Sequence, residues 1–117
     1  MNTILALDQS TSATKTLLFS LSGQLLDQAT VVHKQYYPQP GWVEHDAEEI
    51  YQNTLTASRT LLTRQRAGLR QLAGLSITNQ RETIVVFDRA TGEPLYPAIV
   101  WQCRRGDPIC QELISAG

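Results

Sequence analysis

Cysteine is scarce: Cys103 and Cys110 are the only two, and they fit neither a CxxC pattern nor a zinc spacing. With no signal peptide in view, they are expected to be reduced thiols, and the default compartment is the cytoplasm. Long apolar runs are also missing. The first, Ile4 to Leu7, stops at Asp8 and is too short for a signal sequence or a membrane span, so no membrane association is expected. Charge of one sign is not in excess: the formal net charge is −1, with acids and bases mixed along the chain. Without a basic stripe, a nucleic-acid partner is not expected. Neither GxxxxGK[ST] nor GxGxxG occurs, which excludes the two commonest phosphate loops. No internal repeat, low-complexity tract or interdomain linker is visible.

What is present suits one globular domain: 117 residues, 42% hydrophobic and 18% charged. A chain of this length buries roughly two thirds of its unfolded surface, enough for a core without staples. Hydrophobic patterning predicts strands over Thr3 to Leu7, Thr16 to Phe19, and Leu25 to about Tyr36, with Ser22-Gly23 as the turn between the last two. Prolines in Tyr37-Pro38-Gln39-Pro40-Gly41 end the third strand. A helix follows from Ala47 to about Arg66. Asp46 is its expected N-cap, Glu49 completes a capping box, and Gly68 is placed to end it. Ile50, Ala57 and Leu61, with Tyr51, Leu55 and Leu62 beside them, form a broad apolar face. Leu72 to Ile77 reads as a fourth strand. Thr83 to Asp88 and Leu95 to Trp101 read as a hairpin, and Pro108 to Ser115 as a short helix. The order implies an α/β fold: a mixed sheet with an antiparallel three-strand meander, then a helix and a strand parallel to the first.

Two stretches carry chemistry. In LDQSTSATKTLLF an aspartate ends a buried strand, small hydroxyl residues fill the turn, and a lysine opens the next strand. Hydroxyls and turn amides hold phosphate oxygens, a cation adds charge, and a terminal carboxylate holds Mg²⁺. The plain alternative is a polar hairpin with Asp8 bonding its own turn. In SITNQRETIVVF the polar residues Asn79 to Glu82 follow a strand, at the carboxyl end where open α/β sheets bind ligands. These residues are expected at the rim of a cleft, where Arg81 offers only donors and Glu82 only acceptors. The plain alternative is a solvated charge pair with Trp101 in the core. Local structure accounts for the rest: His33 on a surface edge strand, His45 before the helix cap, and Trp42 anchoring its loop against the helix.

Taken together, LDQSTSATKTLLF, PQPGWVEHDAEEIY and ITNQRETIVVFDRATGEPLYPAIVWQCRR resemble the amino-terminal part of the glycerol kinases, within the FGGY carbohydrate kinases. The resemblance covers nearly the whole chain. It implies a ribonuclease H-like (actin-like ATPase) fold, with residues 1–117 part of the first of two domains. It further implies ATP and Mg²⁺ as cofactors and glycerol as substrate. Because the first domain would be incomplete, a bare sheet edge and apolar patches are expected to make the chain a homo-oligomer. By position, Asp8 matches the Mg²⁺-associated aspartate, and Thr11, Ser12, Ala13 and Lys15 fall at the nucleotide phosphates. Arg81, Glu82 and Trp101 match residues lining the polyol pocket. The aspartate that takes the hydroxyl proton belongs to a later Gly-Asp-Gln segment, which these 117 residues do not contain, so the chain alone is expected to be inactive. Three positions depart from the pattern. Ser10 stands where glycine is usual, Ala13 where serine is usual, and Lys15 where arginine is usual. Further readings are an FGGY kinase for another polyol or sugar, a non-catalytic fragment, and a metal-dependent nuclease using Asp8, Glu48 or Glu49, and Glu82.

Overall fold

The computed structural model describes residues 2–65 and 71–117. The chain divides into two compact units, Met1–Lys34 with Glu48–Gln80, and Gln35–Ala47 with Arg81–Gly117. No described helix is long and apolar enough to cross a membrane.

The first unit is a four-stranded mixed sheet under one helix. Strands β1 (Thr3–Gln9), β2 (Ala13–Ser20) and β3 (Leu25–Val32) form the expected antiparallel meander. Glycine at position 23 makes the β2–β3 turn possible, because φ there is +85°. Strand β5 (Leu72–Asn79) lies parallel to β1, giving the order β3-β2-β1-β5, with the intervening β4 (Glu44–His45) belonging to the second unit. Helix α1 (Ala47–Arg64) covers one face. Its buried stripe is Thr54, Ala57 and Leu61, and Leu61 packs with Leu5, Leu18 and Ala29. Burying a leucine such as Leu18 or Leu61 contributes about 2 kcal/mol, so this small cluster is what holds helix to sheet. Two polar contacts fix the same face. Gln9 Nε2 donates to Thr54 Oγ1 at 2.8 Å, and the hydroxyls of Thr16 and Ser58 meet at 3.4 Å.

Several expectations need adjustment here. The strands run past their apolar cores to Gln9, Ser20 and Asn79, because ladder bonds continue through polar residues once the neighbours are aligned. β3 stops at Val32, short of Tyr36, and Tyr36 instead exchanges two 2.9 Å backbone bonds with Glu44. Tyr51 is 56% exposed: the helix buries the Thr54–Ala57–Leu61 stripe, and Tyr51 lies off it. His33 is 6% exposed, and so is not a surface residue. Glu49 Oε1 accepts the Lys34 N–H at 3.1 Å. The expected end of α1 at Arg66 and Gly68 lies outside the described residues.

In the second unit, β4 (Glu44–His45) pairs antiparallel with β6 (Ala98–Ile99). Val43, Ala98 and Val100 are buried there, and so is His45, which belongs to this pairing rather than only preceding a helix cap. The expected 83–88/95–101 hairpin is reduced to isolated bridges, Ile84 with Ile99 and Phe87 with Pro94. Pro94 and Pro97 lack the N–H a continuous ladder needs, and Ala98–Ile99 take a second partner in β4. The Asp88 carboxylate closes the turn by accepting from the N–H groups of Ala90 and Thr91 at 2.8 and 2.9 Å. The last element is α2 (Asp107–Ala116), whose Ile109, Leu113 and Ile114 are exposed.

Candidate functional site

The first group of residues surrounds the β1–β2 turn. Side chains alternate along a strand, and the bonds of Gln9 and Thr16 to α1 fix which face is covered. Asp8 and Lys15 therefore share the opposite face. They sit directly across from each other, in a row with Thr30 on β3 and Thr78 on β5. Among the described residues they make no ion pair with each other or with any other group. The turn itself is closed by Ser10, whose N–H and hydroxyl both reach the Ala13 carbonyl, at 2.9 and 2.8 Å. Serine is thus accommodated at position 10 without a positive φ. Ala13 is buried, Ser12 and Lys15 are exposed, and Thr11 is half-buried.

His33 braces this turn, a role the sequence did not suggest. Its backbone N–H donates to the Ser12 carbonyl at 2.8 Å. Asn53 Nδ2 points at both the Val32 carbonyl (3.3 Å) and His33 Nδ1 (3.0 Å). An amide nitrogen only donates, so Nδ1 accepts, and Nε2 carries the proton that it gives to Thr14 Oγ1 at 3.0 Å. Burial pushes the imidazole pKa down, against an opposing pull from the Glu49 charge.

The second group lies in the other unit. Arg81 and Glu82 occupy a turn, and Glu82 has φ of 64°, the only described non-glycine residue with a positive value. Side-chain-bearing residues avoid this region, and those that adopt it cluster at binding sites. Trp101 joins this turn through its backbone. Its N–H donates to Thr83 Oγ1 at 3.2 Å, and Ile84 and Ile99 exchange two 3.1 Å bonds alongside. Trp101 is 52% exposed, so it is not a core residue. The structure therefore brings Arg81, Glu82 and Trp101 onto adjoining segments of one unit.

Arg105 also went unnoticed in the sequence. Its Nη2 lies 2.7 Å from Glu44 Oε1, and its guanidinium stacks 3.8 Å from the centroid of the Trp42 ring. Trp42 thus anchors its loop through Arg105. Arg105 Nε donates to Cys103 Sγ at 3.0 Å. Burial pushes the Cys103 thiol up, but hydrogen bonds and charge from Arg105, with a bond from Val43, outweigh it and leave the pKa below its ordinary value. No sequence spacing signals such a cluster, because its members come from separate segments of the chain.

The nuclease constellation does not form. Asp8 faces away from the helix that carries Glu48 and Glu49, and no group of three His, Cys, Asp or Glu that could hold a metal occurs among the described residues.

Comparison with known proteins adds the family. Residues 3–117 match the FGGY family of carbohydrate kinases, N-terminal domain. The chain is 48% identical over 116 residues to glycerol kinase 1 of Thermotoga maritima and 52% identical over 114 residues to the glycerol kinase of Symbiobacterium thermophilum. In each case 97% of this chain is covered but only 23% of the relative. A crystal structure of Plasmodium falciparum glycerol kinase with ADP superposes with a TM-score of 0.89 at 34% identity, over 98% of this chain and 23% of that one. The actin-like, ribonuclease H-like fold is thereby established, and the chain belongs to the FGGY family of carbohydrate kinases, matching its N-terminal domain.

Proposed function

We propose that the protein to which these residues belong transfers the terminal phosphoryl group of ATP to glycerol, giving glycerol 3-phosphate and ADP. One observation carries the reading: Arg81, Glu82 and Trp101, the three residues matched to a polyol pocket, stand on adjoining segments with a strained backbone at Glu82. Identity near 50% to glycerol kinases supports glycerol over other polyols.

Within this reading, Arg81 donates to one hydroxyl and Glu82 accepts from another, fixing which carbon carries the reacting oxygen. Trp101 presents an apolar face to the C–H groups and excludes water. Thr11 and Ser12 offer hydroxyls to phosphate oxygens, and Lys15 adds a point charge. Ala13 offers no side-chain donor, and its carbonyl keeps the turn closed through Ser10. A lone carboxylate without an ion pair suits Mg²⁺, which takes one or two carboxylates and completes its shell with waters and phosphate oxygens. Asp8 is the residue that would hold it. When bound, the ion would supply charge neutralisation at the phosphates. The reaction is placed in the cytoplasm, with neither nucleic acid nor membrane as partner.

The test is a coupled ADP-release assay on the protein expressed from its natural gene and on residues 1–117 alone. Glycerol-dependent turnover is expected from the first and none from the second. Removing one charged donor from a closed pocket costs roughly 1.5–3 kcal/mol, so Arg81→Ala should raise the glycerol KM by about tenfold or more and leave the ATP KM nearly unchanged. Turnover with a different polyol or sugar but not glycerol overturns the substrate, and an unchanged glycerol KM removes Arg81 from the pocket.

A further inference from the structure

From the second unit alone we infer that Arg105 is a positioning residue for the polyol pocket, holding in place the segment that presents Trp101. The inference rests on the kinase reading for its functional meaning and on geometry for its mechanism. The Trp101 side chain is half exposed, and the segment that carries it is tied down by the backbone on either side. On the N-terminal side, Ile99 pairs with Glu44 and the Val100 N–H donates to the Val43 carbonyl at 3.1 Å. On the C-terminal side, the Cys103 N–H returns to the Val100 carbonyl at 2.8 Å and the Arg104 N–H donates to Gly41 at 2.8 Å. Arg105 closes this side with its side chain.

The guanidinium uses its whole fork. Nη2 pairs with Glu44 at 2.7 Å, Nη1 donates to the Tyr96 hydroxyl at 3.3 Å, and Nε donates to Cys103 Sγ at 3.0 Å, with the Trp42 ring against its plane. The Arg105 and Glu44 side chains are only 17% and 9% exposed, so this is a largely desolvated pair whose partners are all supplied by the protein. Glu44 lies in β4, the strand that pairs with Ile99, so both flanks of Trp101 are tied to the same residue. A lysine keeps the charge but cannot reach three acceptors in a plane or stack on an indole. If Arg105 served only to neutralise Glu44, Arg105→Lys would behave as wild type. If it positions Trp101, Arg105→Lys fails as Arg105→Gln does.

Two readouts separate the possibilities. In the 117-residue chain carrying Trp42→Phe, which keeps an aromatic face for stacking, Trp101 is the sole tryptophan. With the fold checked by circular dichroism, Arg105→Lys is expected to lower the fluorescence anisotropy of Trp101 and increase its quenching by acrylamide. In the protein from the natural gene, Arg105→Lys is expected to raise the glycerol KM roughly tenfold with the ATP KM unchanged, because misplacing a positioning group weakens binding at that site. Should Arg105→Gln fail to fold, Arg105→Lys carries the test alone. Unchanged Trp101 fluorescence with unchanged KM values overturns the inference, as does an equal rise in both KM values. Absence of glycerol-dependent turnover in the wild type sinks the kinase reading but not the clamp, which the fluorescence then decides.

Discussion

The backbone at Glu82 offers the sharpest test of the site, because it separates strain from chemistry. A side chain in the left-handed region costs about 1–2 kcal/mol. Glycine escapes that cost but gives up roughly 0.5–1 kcal/mol more backbone entropy on folding. With φ at 64°, Glu82→Gly should therefore be more stable than Glu82→Ala by about 0.5–1 kcal/mol. Both variants lack the carboxylate, so comparing them cancels every effect of removing it. For a chain of this size the difference corresponds to a Tm gap of about 2–6 °C in thermal melts followed by far-UV circular dichroism. In the protein from the natural gene, both variants should lose affinity for glycerol to the same degree. A glycine variant melting no higher than the alanine variant would refute the backbone argument. Wild-type glycerol affinity in either one would remove the Glu82 carboxylate from the pocket.

Asp8→Asn should lower kcat at saturating glycerol in the protein from the natural gene, because a neutral amide holds Mg²⁺ more weakly; wild-type activity at limiting Mg²⁺ would leave Asp8 as a turn residue only. Stability should depend on His33 as pH falls. Its folded pKa is depressed below 6.5, so between those values the unfolded chain binds a proton that the folded chain refuses. The His33 contribution is thus complete above pH 6.5 and lost as pH drops below it, and His33→Gln should flatten that part of a Tm-against-pH curve. The 117-residue chain should self-associate with rising concentration in sedimentation runs. β5 is an edge strand with Leu75 and Ile77 exposed, and α2 exposes Ile109, Leu113 and Ile114. A monomer across the whole range would show that these surfaces are tolerated alone.

Local pattern was enough to read the meander, the helix from Ala47 and the parallel strand. Each depends on short-range hydrophobic periodicity and turn chemistry, such as Ser22-Gly23, and the order of elements then restricts the topology. The two candidate groups stood out in the sequence as polar clusters at strand ends, Asp8 to Lys15 and Asn79 to Glu82, and their roles remain part of the proposal. Tertiary structure alone decided the rest. Periodicity places Asp8 on one side of its strand, but only packing on α1 determines which side is covered, and that separates Asp8 from Glu48 and Glu49. His33 looked superficial because nothing in its neighbours encodes Asn53 and Thr14 as partners. The positive φ at Glu82 is likewise invisible, since glutamate carries no preference for it. The Arg105 cluster depends on side chains from positions 42, 44, 96 and 103 meeting in space, and such a desolvated charge is specified by the fold that surrounds it, not by any spacing along the chain.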